Sequence, residues 1–139
     1  MCRICNINDE LNGIEEKIRE IKKHKTEKII NCKNCGDWWK GDFKFWTMIK
    51  LLLNMFLKLD QNEGTSEADD VKVQKTISDI FENLETLVYK MMEVPHCDEY
   101  QYLERAKVCK FMWGLIEGQK ERFDNINELI DSYKYSRRK

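Results

Sequence analysis

A single proline, Pro95, interrupts the whole of this 139-residue chain, and glycine occurs only six times. β-Sandwiches and barrels need many tight turns, and tight turns draw heavily on these two residues. The chain is therefore expected to fold as long helices with few breaks. Apolar residues make up 42% and charged residues 35% of it, a balance that excludes both a membrane-embedded and a disordered chain. The length suits one domain with a real core. The reading is all-α: a four- to five-helix bundle with a small N-terminal zinc-stabilised lobe.

Hydrophobic periodicity places the helices. Ile7, Leu11, Ile14, Ile18 and Ile21 alternate steps of four and three, a heptad seam on a first helix capped by Asn8 or Asp9. The seam fades in the basic stretch Lys22–Lys28. Gly36, Asp37 and Gly41 mark irregular chain, so a second helix is expected from Asp42 to Leu59. Phe45, Trp46, Ile49, Leu52, Leu53, Phe56 and Leu57 cover most of its circumference. Residues 60–67 read as an acidic loop, and Ser66 with Asp69 as a capping box. A third helix runs to about Glu93, where Pro95 stops it. Asp98 caps a fourth helix with Gln101 at its third position, and Leu103, Ala106, Val108, Met112, Trp113 and Ile116 face inward. Gly118 breaks or kinks the chain before a last helix carrying Phe123, Ile126, Leu129, Ile130 and Tyr133. Residues 1–41 form the lobe and 42–139 the bundle, joined as one compact unit.

Six cysteines are the other unusual count. Cys2, Cys5, Cys32 and Cys35 make two C-x2-C pairs, and one turn of chain presents both thiolates of such a pair to one ion. They are assigned as a structural zinc site. Four free thiols are one alternative and disulfides in a secreted chain another, but four of six cysteines in two tight pairs favour metal. If residues 8–28 were one straight helix, its ends would lie about 30 Å apart, too far for one ion in one chain. Either the helix stops near Lys23 and the chain folds back, which is favoured, or two chains pair antiparallel through the seam, or, less favoured, two chains pair in parallel so that like pairs meet. The remaining residues are read more plainly. Cys97 and Cys109 are structural, His96 belongs to a capping region, and His24 is solvated among lysines.

Residues 36–46 interleave aromatics with lysines. Trp38, Trp39 and Phe43, with Ile14 and Ile18 of the seam, are expected to bind a protein partner or a second copy, because tryptophan concentrates at interface hot spots. The competing reading has Lys22, Lys23, Lys25, Lys28, Lys33, Lys40 and Lys44 pairing nucleic-acid phosphates while the rings stack on bases. No P-loop, GxGxxG or HExxH is present, and no small-molecule substrate is inferred. The net charge is −1, which gives no general pull towards nucleic acid or an anionic membrane. Lys/Arg and Asp/Glu divide 12 to 8 in residues 1–58, 3 to 11 in 59–99 and 9 to 6 in 100–139. No signal peptide or membrane span is read, so an intracellular place is expected. The functional expectation is a non-enzymatic, zinc-stabilised adaptor or regulator. The alternatives are a zinc-containing nucleic-acid-binding regulator using residues 22–46, and a secreted disulfide-bonded helical effector.

Overall fold

In the computed structural model, residues 3–27, 32–61 and 67–138 are described, with side chains at 7–23, 32–59, 71–129 and 131. They form four helices: α1 (Arg3–Glu27), α2 (Lys33–Gln61), α3 (Glu67–Glu93) and α4 (Glu99–Arg138). No strand occurs among the described residues. The all-α expectation is met with four helices, and no described helix is long and apolar enough to cross a membrane.

Cross-helix contacts fix the directions. Lys50 pairs with Glu15 at 3.2 Å, and the Trp39 indole N–H donates to the Ile21 carbonyl at 2.9 Å, so α1 and α2 run antiparallel. Gln74 donates to Asn127 at 2.9 Å, Lys120 pairs with Glu85, and the Tyr89 ring lies edge-on to Trp113, so α3 and α4 are also antiparallel. Helices α2 and α4 run parallel: Phe56 stacks near Phe123 and Trp46 near Phe111. The chain thus goes up, down, up, down.

The core follows the apolar stripes. Phe45, Ile49, Leu52, Leu53 and Phe56 of α2 are fully buried, as are Ile77, Leu84 and Val88 of α3 and Met112 and Ile116 of α4. Each such side chain contributes about 1.5–3 kcal/mol of transfer free energy. The α1 seam packs onto this core, with Ile7, Ile14 and Ile21 buried. At the far end Arg122 of α4 grips Glu10 of α1 through two bonds of 2.6 and 2.9 Å.

Several boundaries differ from expectation. Helix α1 begins at Arg3, not at Asn8 or Asp9, and continues past Lys23 to Glu27. Helix α2 begins at Lys33, so Gly36, Asp37 and Gly41 are helical and the expected division at 41/42 falls inside a helix. Gly36 is held because its N–H donates to the Cys32 carbonyl at 2.9 Å, the first bond of the helix. Gly41 is needed for packing: a Cβ there would meet Met91 Cγ at 2.7 Å. Gly118 does not break α4, where nothing crowds it and the helix continues through it. Leu103 and Ala106 face solvent, because α4 turns its other side to α2 and α3. The stop at Pro95 and the Asp98 cap are as expected. Gln101 N–H donates to Asp98 Oδ1 at 2.7 Å, and Gln101 Oε1 accepts from the Cys97 N–H at 3.0 Å. The Ser66–Asp69 cap lies outside the described residues.

Candidate metal centre

Helices α2 and α4 begin side by side at one end of the bundle. In each start, the N-cap and the third helical residue are suited to one another. In α4 these are Asp98 and Gln101. In α2 they are Cys32 and Cys35, so the C-x2-C spacing is also the spacing of a capping box. The parallel register sets Cys35 against Gln101, whose Nε2 donates to Cys35 Sγ at 3.7 Å. Cys97, just before the α4 cap, meets both cysteines. Its Sγ lies 3.5 Å from Cys32 Sγ and 3.8 Å from Cys35 Sγ, and all three sulfurs lie within 4.8 Å of one another.

This spacing fits a metal. Two thiolates at about 2.3 Å from a tetrahedral zinc ion stand about 3.8 Å apart. The Cys97 separations of 3.5 and 3.8 Å match it with little movement. The donor set is all sulfur, which zinc and other thiophilic ions favour over hard oxygen-seeking cations.

The electrostatics favour thiolate at Cys32. Unsatisfied amides at helix starts attract negative charge. The backbone N–H of Cys35, then Cys97 and the backbone N–H of Asn34, hold the Cys32 thiol down at about 7 from an ordinary 9.0. Contact with Cys32 and then Cys35 pushes Cys97 up to about 11. Metal binding to such thiols would release the protons they carry. Arg105 supplies a fixed positive charge beside the sulfurs. Its guanidinium donates to Cys35 Sγ at 3.7 Å and to the Pro95 carbonyl at 3.0 Å, and lies 5.0 Å from the Trp38 ring centre. Such outer contacts orient ligating side chains.

A groove of about 380 Å³ opens beside the cluster, lined by Trp38, Met91, Tyr102, Arg105, Cys109 and Trp113 among others. Cys109 is buried at its floor, as expected of a core residue, and burial pushes its thiol up. Asp42 is raised by burial, against the opposing effects of the Trp46 indole N–H at 3.1 Å and of Lys17.

The other expected site residues are placed as follows. Cys2 and the side chains of Cys5, His24, Lys25 and Lys28 lie outside the described residues. The fold-back that would bring Cys5 to Cys32 in one chain does not occur. Over the α1 backbone Cys5 and Glu27 stand about 33 Å apart at 1.5 Å per residue, and the chain from Glu27 to Cys32 spans at most about 18 Å. Ile14 is buried, and Ile18, Trp38, Trp39 and Phe43 are part-buried against the core. The seam is therefore covered by its own chain, which removes the surface that an antiparallel pairing through it requires. Trp39 stacks on Phe43 at 5.6 Å, and Lys22 lies over the Phe43 ring at 5.4 Å. Lys22, Lys23, Lys33, Lys40 and Lys44 are exposed. Cys97 is exposed rather than buried, because it sits in the α3–α4 connection and not on an apolar face. His96 is exposed with its ring 4.9 Å from Tyr102. The one sequence signal that could have singled out Cys97 is its place beside the Asp98 cap. No family model, curated protein or solved structure matches the chain.

Proposed function

We propose that this chain is a small non-enzymatic interaction protein whose cysteine end is pinned by a zinc ion held by Cys32, Cys35 and Cys97. The observation that supports it is the sulfur spacing at the paired starts of α2 and α4. An ion there would tie the α1–α2 connection to the α3–α4 connection. Three thiolates leave one tetrahedral position for water or a donor from elsewhere.

The partner reading rests on the surface around that end. Met92 and Tyr102 are 57% and 56% exposed, and both line the apolar groove. Large exposed apolar side chains gathered in one place mark protein contacts more often than solvent-facing accidents. The nucleic-acid reading has less behind it, since the rings that would stack on bases are part-buried against the core.

Native mass spectrometry of protein refolded with zinc tests the metal. One zinc per chain is expected, lost in Cys97→Ser and kept in Cys5→Ser. Zinc kept by Cys97→Ser and lost by Cys5→Ser would restore the two-pair ligand set and overturn the present one. Fluorescence titration with mixed RNA and DNA tests the partner class: binding that falls steeply with salt would favour the nucleic-acid reading.

A further inference from the structure

The three sulfurs also satisfy the geometry of a reaction that needs no metal. Cys32 is exposed at the N-cap of α2, with the first-turn amides facing its sulfur. Cys97 is exposed, with its sulfur 3.5 Å from that of Cys32. Cys35 is set back: it is half-buried, and its sulfur receives Gln101 and Arg105. An attacking thiolate must be open to solvent, and a resolving thiol must stand next to it.

We propose that the metal-free cluster is a thiol–disulfide exchange centre, in which Cys32 attacks the disulfide of a small thiol and Cys97 resolves the mixed disulfide. In the first step the Cys32 thiolate bonds to one substrate sulfur, the substrate S–S bond breaks, and the departing thiolate takes up a proton. In the second, the Cys97 sulfur gives up its proton and attacks Cys32 Sγ, and the second small thiol leaves and is protonated. Two cysteine thiols are oxidised and one substrate disulfide is reduced to two thiols. The sulfurs must close from 3.5 Å to a bond of about 2.05 Å, which side-chain rotation can supply. The product joins the α1–α2 connection to the α3–α4 connection covalently, the same two segments that the proposed metal would join. The inference uses the same thiols as the metal centre and does not require that a metal binds.

The test incubates metal-free full-length protein in a buffer of oxidised and reduced glutathione, followed by acid quench and non-reducing peptide mapping. The expected product is a Cys32–Cys97 cross-link, still formed in Cys35→Ser. In Cys97→Ser, glutathione is expected to remain on Cys32. A wild-type cross-link between Cys32 and Cys35, or glutathione on separate cysteines with no cross-link, would overturn the assignment. A parallel sample preloaded with zinc separates the two proposals. Protection by zinc with the cross-link forming without it supports both. A cross-link that forms regardless of zinc counts against the metal centre alone, and zinc binding with no cross-link counts against the exchange centre alone. Circular dichroism of each serine variant identifies misfolding, and blocking Cys32 of the wild type by limited alkylation gives the same reading without a mutation: the cross-link must vanish.

Discussion

Along its middle, from Phe45 to Phe56, α2 is sealed by apolar neighbours on its inner face, while its first turn leaves Cys32 and Lys33 open to solvent. The middle is fixed by area removed from water, a term that is large and insensitive to pH or redox state. The first turn is fixed by a handful of polar contacts: Gln101 and Arg105 on Cys35, and Cys97 against both cysteines. One helix therefore has a rigid part and a chemically addressable part. The fold can hold its shape while the thiols at its start change state.

Perturbing the middle should give the largest effect. Phe56→Ala is expected to cost about 3–5 kcal/mol in urea unfolding, with zinc stoichiometry in the surviving folded fraction unchanged. Loss of the metal in that variant would show that the two regions are not separable. Gly41→Val lies between them. Its side chain would collide with Met91, 2.7 Å from the position of a Cβ, and a cost of about 1–3 kcal/mol is expected from overpacking. Asp98→Ala removes the α4 cap next to the sulfurs. About 1 kcal/mol of stability should go, and zinc should bind more weakly, because Cys97 is positioned by that cap. At the opposite end Glu10→Gln removes the charge that pairs with Arg122; both side chains are partly exposed, so the change should be below about 1 kcal/mol and zinc affinity should not move.

The gentlest perturbation is pH. Cys32 is held down at about 7, below its ordinary 9.0. Its stabilising share is therefore present above the ordinary value and lost as pH falls through about 7. In metal-free protein, iodoacetamide labelling of Cys32 should reach half its maximal rate near pH 7 and that of Cys97 near pH 11.

The two regions also differ in how plainly the sequence announces them. The stripe from Phe45 to Phe56, the stop at Pro95 and the Asp98–Gln101 cap are local patterns, and local patterns are what periodicity and capping rules detect. The helical state of Gly36 and Gly41 is not local. Gly41 tolerates the helix because Met91 of α3 packs against its bare backbone, so a residue that reads as a breaker is a point of close approach. Cys97 was hidden for the same reason. Its partners are 65 and 62 positions away, and only the parallel register of α2 and α4 brings them together. The C-x2-C motif was legible as a pair of thiols, but its use as a helix cap was not, since cysteine is an uncommon cap. The apolar seam of α1 was legible as a seam, yet no pattern within α1 says whether its cover comes from the same chain or another.

Cobalt(II) substitution reads out whether one ion is held by Cys32, Cys35 and Cys97. Sulfur-to-cobalt charge-transfer absorption reports the number of thiolates bound. Single serine variants of Cys2, Cys5, Cys32, Cys35 and Cys97 should divide into two groups: absorption falls for the last three and stays at the wild-type level for the first two. A spectrum that weakens in Cys2→Ser or Cys5→Ser and is untouched in Cys97→Ser would contradict the account.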